Sequence, residues 1–312
     1  MPLDPQVAAL LEKMRAAGAA PIGALPMEET RAAARGLIAW QAAPPAVDRV
    51  QDLRIPASDA DIPVRAYTPL GAAAAPPILV FSHGGGWFRG TLDIFDTPCR
   101  QLANATGCLV VSVDYRLAPE HKFPLPLNDC WEVTQWIAAH GADLGGDPSR
   151  LIVAGDSSGG NLAAAVARRT RDAGGPPIAA QLLIYPVTNC AFDTPSYTEF
   201  AQGYSLTRAS METCWDYYLS DPADAASPDA SPLRAPDFTS LPPAVILTAE
   251  YDPLRDDGEQ YADKLQSAGV PVHRKRLPGL IHGALHMTGI VDASKQIYEE
   301  AGEGLRVLLG GK

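Results

Sequence analysis

No stretch of the chain is long and apolar enough to span a bilayer. The opening Met1-Pro2-Leu3-Asp4-Pro5 has neither the basic start nor the apolar core of a signal peptide, and Glu12, Lys13 and Arg15 interrupt the apolar residues that follow. A cytoplasmic protein without stable membrane association is therefore expected. Cysteine is sparse: Cys99, Cys108, Cys130, Cys190 and Cys214 are odd in number, scattered and without a CxxC pair. This spacing argues against a disulfide framework and against structural zinc, leaving buried or neutral thiols. Positive charge is also short, with 25 Lys and Arg against 36 Asp and Glu and a formal net charge of -11. The densest basic run, His273-Arg274-Lys275-Arg276, is brief and strand-like, so a solvated or ion-paired edge is expected. A nucleic-acid partner is not. Internal repeats are absent, and Ala72-Ala73-Ala74-Ala75 is a short surface connector.

What is present is an ordinary globular composition, 312 residues with 46% hydrophobic. A chain of this length buries roughly 75% of the surface its unfolded form exposes, which suits one large α/β domain with an appended piece. Two amphipathic stretches come first, with Val7, Leu10, Leu11 and Met14 at helical spacing, then Ala33, Leu37, Ile38 and Trp40. Pro21, Pro26 and Pro44-Pro45 punctuate them. From Val50 the pattern changes. Asp52–Ile55 and Ile62–Tyr67 alternate as a half-buried antiparallel pair would. Short, nearly continuous apolar runs follow at Ile78–Phe81, Cys108–Val113, Leu151–Ala154, Ala180–Ile184, Ala244–Thr248 and Val270–His273. Separated by helical segments, they predict a mainly parallel sheet covered on both faces. Residues from about Asn189 to Ser240 break the rhythm with Tyr, Pro, Asp and Ser and no strong strand, as a lid or cap insertion would.

The strongest chemical signal is Gly155-Asp156-Ser157-Ser158-Gly159, between the apolar run Leu151–Ala154 and the helix-forming Leu162–Ala167. Strand, Gly-x-Ser-x-Gly and helix together are the context of a nucleophile elbow, with Ser157 on a strained turn. The N–H of Ser158, at the helix start, can point at a developing oxyanion. A second signal is His83-Gly84-Gly85-Gly86-Trp87, directly after a strand. Successive glycines let backbone N–H groups converge on one point. Gly84, Gly85, Gly86 and Ser158 are the candidate oxyanion hole, with Gly85 and Gly86 the best donors and Gly84 shaping the loop. His83 reads as a structural residue of that loop.

A serine needs a base within hydrogen-bond reach. Of the six histidines, His282 follows the last strand and precedes the final helix, giving the order Ser…Asp…His expected on such a fold. His286 forms an HxxxH spacing with it, but no nearby acid or cysteine completes a zinc set, so no metal is expected. His121 and His140 read as exposed or helix-end residues, and His273 as part of the last strand. Asp252, at the C-terminal end of a strand, is the candidate that orients the imidazole. Pro253 after it would make Asp252 a helix N-cap as well. Asp256 and Asp257 should already be helical and partly solvated, and Glu250 is a minor rival.

These pieces, with Asp114-Tyr115-Arg116-Leu117-Ala118-Pro119-Glu120, Asp252-Pro253-Leu254-Arg255-Asp256 and Ile281-His282-Gly283, resemble the hormone-sensitive-lipase-like bacterial carboxylesterases, in the subgroup whose elbow reads Gly-Asp-Ser-x-Gly. The resemblance spans most of the chain after about residue 50. It implies an α/β-hydrolase fold with an eight-stranded core and a helical cap, and hydrolysis of short- to medium-chain esters without a cofactor. Divided accordingly, 1–48 is a helical cap segment, 49–188 and 241–312 are core, and 189–240 is a cap or lid insertion. The Asp114–Glu120 segment is then structural, matching a buried ion-pair network. Two departures stand out: Ser158 where alanine is common, and Ala284 where phenylalanine is frequent, which would widen the pocket near the base. Cap side chains such as Tyr204, Trp215 and Tyr218 would set substrate range. The partner expected is a small ester, and the resemblance alone leaves room for a homodimer through the last strand. The same triad could serve an amidase, carbamate hydrolase or peptidase. A non-catalytic receptor is opposed by the presence of His282.

Overall fold

A computed structural model describes residues 2–18 and 23–310; Met1, Pro21 and the last two residues, all within the segments considered above, lie outside the described residues. Helix α1 (Pro5–Ala17) starts where the Asp4 carboxylate accepts from the N–H groups of Gln6 and Val7, and it buries Val7, Leu10 and Leu11. The second amphipathic stretch gives helix α2 (Met27–Ala34), which tightens into a 3₁₀ turn over Arg35–Trp40. Gly36 is a poor helix former, and Ile38 on that turn is exposed rather than packed.

The sheet is built from β1 (Arg49–Pro56), β2 (Asp61–Thr68), β3 (Pro77–Ser82), then after helix α3 (Asp96–Thr106) from β4 (Leu109–Val113). Helix α4 (Leu125–His140) leads to β5 (Asp147–Asp156), and α5 (Ser158–Asp172) to β6 (Ile178–Ile184). Helices α6 (Pro195–Glu199) and α7 (Arg208–Tyr218) fill the long interval before β7 (Ala244–Tyr251). Helix α8 (Arg255–Ser267), β8 (Val272–Ile281) and α9 (Gln296–Leu309) complete the described chain. The described residues form an eight-stranded sheet in the order β1-β2-β4-β3-β5-β6-β7-β8. Only the β1–β2 and β2–β4 pairs are antiparallel.

Alternation along β3 divides the core. Ile78 and Val80 face the cluster holding Leu127 and Val133 of α4 and Leu162 of α5, whereas Leu79 and Phe81 face Leu102 of α3 and Ile297 of α9. Both faces are covered, which explains the nearly continuous apolar runs. Strands β3, β5, β7 and β8 are parallel and end on the same side. Chain order reverses around β3, and the loops above these ends surround a crevice at such a switch point.

Strand β8 is longer than its apolar pattern predicts. Its basic stretch lies at the sheet edge, where Arg274 meets Asp263 at 2.7 Å, Lys275 meets Glu300 at 2.8 Å and Arg276 meets Glu259 at 2.6 Å. The expected ion-paired edge is what forms. The Asp114–Glu120 segment is less enclosed than expected. Arg116 pairs with buried Asp129 at 2.6 Å, but also with exposed Asp59, and Glu120 meets Arg31 near the surface. No helix among the described residues is long and apolar enough to cross a membrane.

Candidate active site

Strand β5 runs through Gly155 and Asp156 into helix α5, and Ser157 forms the sharp turn between them. Its backbone takes φ 55° and ψ -121°, a region that non-glycine residues rarely occupy. The turn is pinned because Ser157 N–H donates to the Ile184 carbonyl and the Ser157 carbonyl accepts from Val187 N–H. A Cβ on Gly159 would strike the Ser82 carbonyl, and one on Gly155 would strike the carbonyl of Gly159. Glycine at both motif positions is thus a steric requirement of this turn.

Ser157, His282 and Asp252 come together. Ser157 Oγ lies 2.9 Å from His282 Nε2, and His282 Nδ1 lies 2.7 Å from Asp252 Oδ2. With the proton on Nδ1, the imidazole donates to Asp252 and accepts from the Ser157 hydroxyl. Asp252 is fully buried, and its other oxygen accepts from Leu254 N–H at 2.9 Å. Helix α8 begins only at Arg255, so Asp252 closes a turn before the helix rather than capping it. Asp257 also departs from expectation. It is buried, accepts from the N–H groups of Thr188 and Asn189, and is pushed by burial up to about 7. Glu250 accepts from Gly279 N–H, away from the imidazole.

The Gly84–Gly86 loop approaches the serine from the end of β3. Gly84 must be corrected as an oxyanion donor, since its N–H is committed to Asp156 Oδ1 at 2.7 Å. The N–H groups of Gly85 and Gly86 find no acceptor among the described residues. Their positive φ values, 125° and 64°, are conformations glycine adopts without penalty. Ser158 contributes more than a backbone donor, because its Oγ accepts from Trp87 N–H at 3.2 Å and ties helix α5 to this loop.

Asp156, which the motif gives no role, is buried at the junction of loop and turn. Burial pushes its carboxyl up to about 7, while Gly84 N–H and the Tyr185 hydroxyl favour its charged form. Tyr185 carries no motif signal; its ring lies against His282 with centroids 4.6 Å apart. His83 is buried, donates from Nδ1 to the Gly84 carbonyl and stacks on Tyr115, with burial lowering it to about 4. His286 is neutralised similarly, to about 3, and its Nδ1 accepts from Gln41 Nε2. His140 sits at the end of α4 against Trp136. Among the described residues no His, Cys, Asp and Glu cluster could hold a metal ion.

A cavity of about 120 Å³ opens over Ser157 and His282. Leu37, Trp40, Leu206, Met211 and Cys214 line it, together with Arg89 and Phe95. Trp215 and Tyr218 do not face it: they are buried and pack on Trp87, Tyr218 stacked at 4.2 Å. Tyr204 instead packs on Phe200 and Tyr251. Ala284 is buried in the core, so the wall beside the imidazole is made by Gly283, His286 and Met287.

The model of the alpha/beta hydrolase fold family matches residues 79–286. The chain belongs to this family. Carboxylesterase NlhH of Mycobacterium tuberculosis is 44% identical to the hydrolase over 80% of this chain and 78% of its own. The ethyl acetate hydrolase of Pseudomonas putida is 37% identical, covering 98% of this chain and 96% of its own. The solved structure of a thermostable esterase from Pseudomonas putida ECU1011 matches with a TM-score of 0.94 at 38% identity, covering 99% of this chain and 98% of that one. The hydrolase is thus a hormone-sensitive-lipase-like esterase, a carboxylic ester hydrolase. The amidase, carbamate hydrolase and receptor alternatives are not favoured.

Proposed function

We propose that Ser157 is the nucleophile, His282 the general base and Asp252 the residue that orients it, acting on short- to medium-chain esters. The observation that carries this reading is the continuous relay from Ser157 Oγ through His282 to buried Asp252, at 2.9 and 2.7 Å. Ser157 attacks the ester carbonyl as its proton passes to His282 Nε2. Negative charge then develops on the carbonyl oxygen, held by the N–H groups of Gly85, Gly86 and Ser158. Asp252 keeps the proton on Nδ1 and stabilises the imidazolium. Collapse of the tetrahedral intermediate breaks the C–O bond, and His282 gives its proton to the leaving alkoxide. Water, deprotonated by His282, then attacks the acyl-enzyme and releases the acid with Ser157 restored.

The motif Gly155-Asp156-Ser157-Ser158-Gly159 supports membership of the Gly-Asp-Ser-x-Gly subgroup. Segments 1–48 and 189–240 are read as a cap over a core of 49–188 and 241–312. This division is supported by the cavity wall that Trp40, Leu206 and Met211 supply. Its limited volume favours short acyl groups.

Hydrolysis of p-nitrophenyl esters from two to sixteen carbons tests the reading. Turnover should peak at short or medium chains and vanish in Ser157→Ala. Undiminished turnover in that variant would refute it.

A further inference from the structure

Among the described residues, Arg89 is the one arginine that is neither exposed nor given an acceptor for its guanidinium. The other half-buried arginines are all satisfied: Arg31 by Glu120, Arg65 by Asp52, Arg116 by Asp129, Arg168 and Arg169 by Asp229, and Arg255 by Asp256. Arg100 and Arg171 likewise meet Asp96 and Asp172. In a chain with 36 acidic residues, leaving this cation alone is a specific arrangement. Arg89 lines the same cavity as Ser157 and His282, and its stem lies close over Gly85. Its guanidinium sits 5.3 Å from the centroid of the Phe88 ring. Asp156, the carboxylate that lines this cavity, is already engaged with Gly84 N–H.

A guanidinium partly removed from water without an anion costs stability, because part of its hydration is lost and no acceptor replaces it. It remains charged at neutral pH. The planar fork of N–H donors matches a carboxylate and can bind it through two parallel hydrogen bonds. The missing anion therefore has a chemical class and a place, within the cavity where the ester binds.

We propose that Arg89 binds a carboxylate carried by the substrate, so that this esterase prefers esters with an anionic acyl or alcohol half. The inference rests on the reading of Ser157 as nucleophile. Arg89 is a specificity residue in it, and the oxyanion donors are unchanged.

The test compares anionic and neutral esters in wild type, Arg89→Met and Arg89→Lys. Monoethyl glutarate against diethyl glutarate places the carboxylate on the acyl half, and acetoxyacetate against its methyl ester places it on the alcohol half. In Arg89→Met the ratio of kcat/KM, anionic over neutral, should fall roughly 10–100-fold for one pair, chiefly through KM, as expected for a lost charge-assisted contact. Arg89→Lys should restore part of the ratio. The pair that responds identifies the half recognised. An unchanged ratio in both pairs would overturn the proposal. So would an equal loss for charged and neutral esters, which would make Arg89 a general electrostatic aid to the oxyanion. Calorimetric binding of the two anionic esters to Ser157→Ala, with and without Arg89→Met, reads the contact without turnover. Weaker binding of one of them by the double variant supports the proposal, and equal binding of both overturns it. Residual turnover in Ser157→Ala would instead strike the nucleophile assignment, leaving the binding comparison to decide on Arg89.

Discussion

Replacing Asp156 separates two functions of one carboxylate, holding the Gly84 loop and carrying charge. In wild type, Oδ1 accepts from Gly84 N–H at 2.7 Å in a buried site. Asp156→Ala removes that acceptor and leaves Gly84 N–H unsatisfied, a loss of about 1–3 kcal/mol. The loop would relax and carry Gly85 and Gly86 off the oxyanion position, and one misplaced donor typically lowers kcat by about 10²–10³. Asp156→Asn keeps an acceptor for Gly84, so its kcat should stay within about tenfold of wild type. The charge has a different signature. Burial raises Asp156 from an ordinary 3.8 to about 7, so the folded state binds its proton more tightly than the unfolded state. Stability from this group is therefore lost as pH rises from about 4 to about 7, by on the order of 4 kcal/mol. Asp156→Asn removes that slope and should gain on wild type toward pH 8. Urea unfolding at pH 5 and pH 8, beside p-nitrophenyl butyrate kinetics, measures both effects. Full kcat in Asp156→Ala, or the same pH slope in Asp156→Asn, would refute the reasoning.

Two further substitutions probe the site and its support. Asp252→Asn keeps an acceptor for Leu254 N–H but can present an amide to His282 Nδ1 and favour the wrong tautomer. Its kcat should fall by about 10⁴ while the circular dichroism spectrum stays native. Arg116→Met strands the buried Asp129 carboxylate, which receives three contacts from the guanidinium and one from Arg116 N–H. Unfolding in urea should show a loss of about 3–5 kcal/mol.

The strand positions were legible because a sheet covered on both faces buries mostly apolar residues, which each strand carries as a run, with Ser112, Gln181 and Thr248 as buried polar exceptions. The turn at Ser157 was legible because Gly155 and Gly159 answer local steric demands. The apolar pattern stops short of the full strand β8 because Arg274, Lys275 and Arg276 look polar, and their partners Asp263, Glu300 and Glu259 lie on helices packed beside the edge. Asp257 reads as an ordinary first-turn acid, and only the fold places it beneath the Thr188 and Asn189 backbone. The same holds for Trp215 and Tyr218. Their composition suggests a substrate wall, but helix α7 turns them onto Trp87. Gly84 looks like a third donor until Asp156 is seen to take its N–H. Arg89 gave no signal, since an unpaired cation is recognised by what its surroundings lack.

In the proposed mechanism Ser157, activated by His282, is the group that attacks the ester. Diethyl p-nitrophenyl phosphate tests it directly, because attack at phosphorus expels p-nitrophenolate and leaves a stable diethylphosphoryl group on the nucleophile. Peptide mass spectrometry should place one adduct per chain on Ser157, none on the adjacent Ser158, and none in Ser157→Ala. An unlabelled Ser157, or equal labelling of the alanine variant, would contradict the account.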